Sequence, residues 1–154
     1  MGVTTELSAF CAAIRLGTLP PEVVRRARFL VLDLVGNIVR ARHDAESTES
    51  FVNTVRAMGL ANGTIGVFGD SARYSPTGAA FLNGALAHSL DFDDTHAAGS
   101  LHPGAPVIPA ALAAGEMAGA SGADVLAGIV AGYEVTCRIA LALPAGEHYD
   151  RGFH

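Results

Sequence analysis

Residues 19–42 read LPPEVVRRARFLVLDLVGNIVRAR and carry the clearest helix pattern in this chain of 154 residues. Proline suits the first turn of a helix, because the N–H that it lacks would have no partner there. Apolar residues then recur three or four positions apart, as on one face of an α-helix. They are Val23, Val24, Ala27, Leu30, Val31, Leu34, Val35, Ile38 and Val39. The stretch therefore predicts a long amphipathic helix, whose wetter parts carry Arg25, Arg26, Arg40 and Arg42.

Five further segments show helical patterns on either side of this one. They span residues 4–17, 47–58, 75–89, 105–118 and 121–143. Only Thr64 to Phe68 has strand character, because it is short, apolar and follows a turn at Asn62-Gly63. A loop is expected after Pro144. The sequence therefore predicts an all-α fold with at most one short strand or hairpin near 64–68.

Capping residues mark where several of these helices begin. Ser75 precedes Pro76, and Ser121 stands three residues before Asp124, so both serines are predicted N-caps. The first helix is expected to be capped by Thr4 or Thr5 and to end at Gly17.

Composition excludes several classes of partner. The net charge is −5 and no basic stripe is present, so nucleic acid is a poor partner. The most hydrophobic run, Phe29 to Val39, is interrupted by Asp33 and Asn37 and is shorter than the roughly 20 apolar residues that cross a bilayer. We therefore expect a cytoplasmic protein that does not contact a membrane. Cys11 and Cys137 lie in apolar helical patterns and are expected to be buried thiols.

A polar cluster follows the segment at 75–89. Residues 90–96 read LDFDDTH and residues 101–104 read LHPG, in a chain of which only 16% is charged. The cluster contains Asp91, Asp93, Asp94, Thr95, His96 and His102. Groups of this kind transfer protons, bind a metal or bind a polar substrate. The nearby His88 lies on an alanine-rich helix and is interpreted as a packed histidine rather than a catalytic one.

The residue types alone leave several interpretations of the cluster open. One is a solvated acidic loop. A calcium loop is disfavoured, because Asp91, Asp93 and Asp94 lack the spacing and the closing Glu of an EF-hand. A zinc or iron site would suit a metal-dependent hydrolase, but the helical histidine spacing of such sites is absent. Its ligands would be Asp91, Asp93, His96 and His102. A metal-free acid–base site is the last interpretation, since histidine transfers protons near neutral pH.

These motifs resemble the signature of the MmgE/PrpD family, which includes 2-methylcitrate dehydratase, cis-aconitate decarboxylase and iminodisuccinate epimerase. The resemblance rests on HSLDFDDT at 88–95 and HPGAPVIPA at 102–110, and it extends through FLNGA at 81–85 and GYEV at 132–135. It implies that residues 1–154 are the N-terminal part of a helical MmgE/PrpD-like domain. The remainder of that domain and a second, lid domain would be absent from this chain. The resemblance also implies a homodimer.

The resemblance further implies what the site does. Its active-site residues would be Asp91, Thr95, His102 and His154. Metal-free lyase or isomerase chemistry without a cofactor is implied, on a small di- or tricarboxylate. Dehydration of 2-methylcitrate is the leading expectation, with cis-aconitate decarboxylation and iminodisuccinate epimerisation as alternatives. His102 and His154 are the acid–base candidates, while Asp91 can orient a histidine and Thr95 can bind a substrate oxygen.

A carboxylate substrate also needs cations, and these are scarce. All ten basic residues are arginines, and only Arg151 lies near the candidate residues in sequence. The resembled family supplies lysines from later positions. We therefore expect the 154 residues alone to be inactive, with a complementing C-terminal chain as one partner. A non-enzymatic interaction module is the alternative.

Overall fold

A computed structural model describes residues 2–143 and 145–152, and these residues are mainly helical. The α-helices are α1 Val3–Ala13, α2 Pro21–Asp44, α3 Thr48–Ala57, α4 Pro76–His88, α5 Gly104–Ala118, α6 Gly122–Leu141 and α7 Ala145–Asp150. Two 3-10 turns, Leu16–Thr18 and Ala97–Gly99, join them. Strands β1 Ile65–Gly66 and β2 Arg73–Tyr74 pair as an antiparallel hairpin. The predicted all-α fold with a hairpin near 64–68 is confirmed.

Helix α2 follows the apolar pattern that predicted it. Ala27, Leu34, Ile38 and Ala41 are buried, at spacings of three, four and seven residues. The prediction that Arg42 lies on a solvent-exposed part of the helix is wrong. Its side chain is only 21% exposed and pairs with Asp70, which precedes β2.

The core forms where α4 packs against α2, α3 and α5. Leu82 and Leu86 of α4 and Ile108 of α5 are fully buried there. Gly84 lets the two helices approach closely, since a Cβ at this position would lie 2.9 Å from the carbonyl oxygen of Ala105. The end of α4 and the start of α5 are thereby held together, and the polar cluster lies between them.

The predicted caps at Ser75 and Ser121 are confirmed. Ser75 Oγ accepts the Gly78 N–H, and Ser121 forms a reciprocal capping box with Asp124. The predicted cap of the first helix is wrong, because α1 begins after Gly2 without a side-chain hydrogen bond and ends at Ala13.

Two further expectations need correction. The segment after Pro144 is not a loop throughout, since Ala145–Asp150 forms α7. Its Glu147 and Arg151 form an ion pair one helical turn apart, which is a local interaction that favours helix. Cys11 and Cys137 are free thiols, as expected, but both are half-buried rather than buried.

Among residues 2–143 and 145–152, no helix combines the length and the apolar character needed to cross a bilayer. The interruptions at Asp33 and Asn37 in α2 fit this finding.

Candidate active site

The loop between α4 and α5, residues 89–103, carries the site. Helix α4 ends at His88, and the backbone then turns sharply at Asp91, whose φ is 57°. Aspartate adopts this left-handed conformation more readily than most residues. The turn directs Asp91 outward, where its side chain is 79% exposed, while the Asp93 side chain is completely buried.

Asp93 lies between two imidazoles. Its carboxylate oxygens are 3.0 and 3.1 Å from His88 Nδ1, and Oδ1 is 3.4 Å from His102 Nδ1. The two histidine rings meet edge to face, with centroids 4.9 Å apart. A buried carboxylate needs compensating partners, and in the described part of the chain these two rings supply the contacts. Asp93 therefore fixes the relative positions of both rings.

His102 combines a buried nitrogen with an accessible one. Its Nδ1 is buried and makes no hydrogen bond within the described residues, because the 3.4 Å contact with Asp93 is long and poorly aligned. Its Nε2 lies 3.9 Å from Asp91 Oδ1 near the surface. The side chain as a whole is 32% exposed. His102 can thus be oriented from behind while it presents Nε2 to a substrate.

A second carboxylate, Asp94, ties the loop to α5 and α6. Its Oδ1 accepts the Gly104 N–H at 3.0 Å, and its Oδ2 accepts the Tyr133 hydroxyl at 3.0 Å. Burial, together with the Asp94 charge and hydrogen bond, raises the pKa of Tyr133 well above its usual value. Tyr133 therefore stays a hydrogen-bond donor to Asp94 across the working pH range. The contact holds Gly104, two residues after His102, in place.

The histidines border an open cleft of about 790 Å³. Its polar lining consists of His88, Asp91, Thr95, Ser100, His102, His148 and Tyr149. None of the lining residues in the described part of the chain is an arginine. Arg151, the cation expected near the site, is paired with Glu147 on α7. The cleft has the size of a small-molecule site, and its described walls carry carboxylate and imidazole groups without a permanent cation.

The structure brings together three of the four predicted site residues. Asp91, Thr95 and His102 share the cleft, whereas His154 lies outside the described residues. The interpretation of His88 as a packed histidine is wrong, because its side chain is 54% exposed and contacts Asp93. Asp93 contacts both His88 and His102 from its buried position, whereas Asp91 lies 3.9 Å from His102 Nε2 on the exposed side. The LDFDDTH spacing offered three candidate aspartates but no sign of which one would be buried.

The four ligands of the alternative metal site, Asp91, Asp93, His96 and His102, are not all brought together. His96 is not a member of the cluster, and its Nδ1 accepts the Gly99 N–H at 3.0 Å at the 3-10 turn. In its place, His88 joins Asp91, Asp93 and His102.

Comparison with known proteins finds a family model and relatives that match nearly the whole chain, including the loop between α4 and α5. The family model described as the MmgE/PrpD N-terminal domain matches residues 5–154. A cis-aconitate decarboxylase-like protein of Aspergillus oryzae is 30% identical over 164 residues, which cover 99% of this chain and 33% of that protein. The cis-aconitate decarboxylase of Aspergillus terreus is 29% identical over 159 residues, with 99% and 32% covered. The human cis-aconitate decarboxylase is 30% identical over 160 residues, with 99% and 32% covered. The chain thus spans about a third of the length of these relatives.

Proposed function

Because this chain belongs to the MmgE/PrpD family, we propose that it supplies the N-terminal half of the active site of a lyase. The reaction is metal-free acid–base chemistry on a small di- or tricarboxylate. The observation that carries the proposal is the buried Asp93 carboxylate between His88 and His102, at the wall of an open cleft. This arrangement orients imidazoles toward a polar space, which is what proton transfer requires.

His102 is the proposed acid–base group. Asp93 Oδ1 lies 3.4 Å from its Nδ1, and this contact with a buried carboxylate leaves Nε2, on the side of the exposed Asp91, as the nitrogen available to a substrate. Asp91, 3.9 Å from Nε2, is close enough to exchange a proton with a substrate held there. Thr95 is exposed on the same wall and can donate a hydrogen bond to a substrate carboxylate or hydroxyl.

Cis-aconitate decarboxylation is the favoured reaction, because the relatives described above bear that name. Loss of CO₂ leaves an electron pair on carbon, and an imidazolium can protonate it. Dehydration of 2-methylcitrate, the leading expectation from sequence, needs a base for the C–H proton and an acid for the departing hydroxide. The cleft offers groups for both reactions. It also offers groups for the epimerisation of iminodisuccinate, which removes and returns one proton. The substrate must therefore be identified by assay.

The charge of the cleft implies that other parts of the protein complete the site. A substrate with two or three carboxylates is repelled by Asp91 and needs cations, which the described walls do not supply. Since the relatives are about three times as long, we propose that the cations come from a part of the enzyme outside these residues. Residues 1–154 would then be the N-terminal part of the helical domain. We propose in addition that the whole enzyme forms a homodimer.

The test is a substrate assay on the protein produced from its native gene and stripped of metal with a chelator. Cis-aconitate, 2-methylcitrate and iminodisuccinate are supplied separately, and products are followed by NMR. We expect turnover of cis-aconitate, with release of CO₂, in the absence of added metal. Turnover of 2-methylcitrate alone would replace the favoured reaction with the dehydration. No turnover of any carboxylate, or turnover only after metal is added, would contradict the proposed function.

A further inference from the structure

Four side chains at the cleft wall have the composition of a transition-metal site. His88, Asp91, Asp93 and His102 each offer one ligand atom, and these four atoms all lie within 4.8 Å of one another. Two imidazoles and two carboxylates are ligands typical of zinc. We propose that this cluster binds a divalent transition-metal ion, with Zn²⁺ as the best fit, and that the bound ion inhibits the enzyme. The inhibition rests on the proposed function, whereas the binding does not.

Two of the distances between ligand atoms already match the spacing that zinc needs. Bonds of about 2.0–2.1 Å in a tetrahedron place neighbouring ligand atoms roughly 3.3 Å apart. Asp93 Oδ1 is 3.0 Å from His88 Nδ1 and 3.4 Å from His102 Nδ1. Small rotations of the rings are therefore enough to place one ion between these atoms. Asp91, whose side chain is exposed, is the fourth ligand within 4.8 Å of the others.

His102 provides an independent observation that points to a ligand. Its Nδ1 is buried and makes no hydrogen bond with any described residue. A buried polar atom without a hydrogen bond costs free energy, which coordination to a metal would recover. The atom faces Asp93, which places the ion against the buried carboxylate rather than out in the cleft.

The donor set and its charge select the kind of ion. Imidazole nitrogens suit zinc and other late transition metals, whereas calcium and magnesium prefer oxygen ligands. Two carboxylates give the cluster a negative charge, and among the described lining residues no arginine neutralises it. Asp94 does not join the site, because both of its oxygens are already engaged by Gly104 and Tyr133. The site therefore attracts a divalent cation through Asp91 and Asp93.

A bound ion would oppose the acid–base role of His102. Coordination uses the lone pair of Nδ1, which leaves Nε2 with the ring's one N–H and prevents the imidazole from accepting and returning a further proton. The exposed Asp91 would be drawn away from the cleft in the same event. Turnover should consequently fall as zinc occupies the site and recover when a chelator removes it.

The experiment measures binding and turnover separately, on chelator-stripped protein from the native gene. Zn²⁺ binding is followed by isothermal titration calorimetry, and Co²⁺ is used as a coloured probe whose visible bands report coordination number. We expect one ion per chain, tetrahedral Co²⁺ bands, and a loss of affinity of about tenfold or more in both His88→Ala and Asp93→Asn. His43→Ala, which removes an exposed histidine at the end of α2, is the matched control and should bind zinc like the wild type.

The outcomes distinguish this inference from the proposed function. Stoichiometric binding that depends on His88 and Asp93, with turnover lost on adding zinc and restored by chelator, supports both. Absence of stoichiometric binding, or binding weakened by His43→Ala instead, overturns the inference while metal-free turnover stands. Binding at the cluster with turnover that requires zinc overturns the inhibitory role and the metal-free mechanism together.

Discussion

At the scale of single residues, Asp93 is the group on which the site depends. Its side chain is completely buried and contacts both His88 and His102. The neighbouring Asp91 and Asp94 differ from it in what they contact: Asp91 is exposed at the cleft, and Asp94 ties the loop to Tyr133. The three aspartates lie within four positions of one motif, but each has different surroundings and different contacts.

Replacing Asp93 with Asn tests its positioning role. The amide is nearly the same size, but it lacks the charge and presents an N–H toward one imidazole, which favours the wrong tautomer. We expect kcat to fall by about tenfold or more, since the loss of an orienting carboxylate in Ser-His-Asp triads costs up to about 10⁴-fold. The pH–rate profile should change shape as well, which a purely structural defect would not cause. Asp33→Asn, on the exposed face of α2, is the control and should leave both unchanged.

Replacing Tyr133 with Phe tests the link between the loop and α6. The change removes the donor to Asp94 Oδ2 and leaves a partly buried carboxylate with one fewer partner. We expect the free energy of unfolding to fall by about 1–3 kcal/mol, measured by urea denaturation. Glu134→Gln, at the adjacent half-buried position of the same helix, weakens only its one-turn ion pair with Arg138 and should change the free energy of unfolding by less than about 0.5 kcal/mol. Equal stability of the two variants would show that the Tyr133–Asp94 contact does not hold the loop.

The sequence predicted which residue types gather at the site better than it predicted their roles. The polar run between apolar helices indicates the cluster as a whole, and only the resemblance to the MmgE/PrpD family selects Asp91, Thr95 and His102 within it. His88 was missed, because the helical pattern of α4 does not reveal that the following loop folds back over its last turn. The burial of Asp93 was equally hidden, since it follows from the left-handed turn at Asp91. Both facts depend on tertiary structure rather than on local pattern.

At the scale of elements, the long helices and the short strand near 64–68 carry a local signal in the sequence, whereas β2 and α7 do not. The spacing of apolar residues predicts helix α2, and the serine N-caps predict where α4 and α6 begin. Strand β2 has two residues and α7 has six, which is too few for a periodic pattern to appear. The formation of such elements depends on contacts with neighbouring parts of the fold rather than on a local sequence pattern.

A cap substitution tests this local control. Ser121→Ala removes the hydroxyl that accepts the Asp124 N–H at 3.2 Å and should lower the free energy of unfolding by about 1 kcal/mol. Ser47→Ala is a matched control, because Ser47 also precedes a helix but makes no capping hydrogen bond. We expect that control to cost less than half as much in thermal or chemical denaturation. No measurable loss in Ser121→Ala would mean that α6 does not depend on its cap.

At the scale of the whole molecule, Asp70 joins α2 to the hairpin and gives stability a dependence on acid. Burial alone would raise its pKa, but hydrogen bonds from Ala72 and Tyr74 and the charge of Arg42 lower the pKa below its usual value of 3.8. A carboxyl whose pKa is lower in the folded protein than in the unfolded chain stabilises the fold at any pH above the unfolded-state pKa. That stabilisation is lost as the pH falls through the folded-state pKa. We expect Asp70→Asn to be less stable than wild type at pH 7, with the difference shrinking below about pH 4. A difference that is constant with pH would contradict this role.

The most direct test of the proposed chemistry is the effect of His102→Ala on turnover by the protein from its native gene. Removal of the acid–base group should lower kcat by about 10²- to 10⁴-fold, with the fold intact by circular dichroism. His96→Ala is the comparison, since this histidine lies in the same loop but bonds Gly99 and does not line the cleft. We predict that the His96 variant retains most of its turnover. Full turnover in His102→Ala would contradict the assignment of the site.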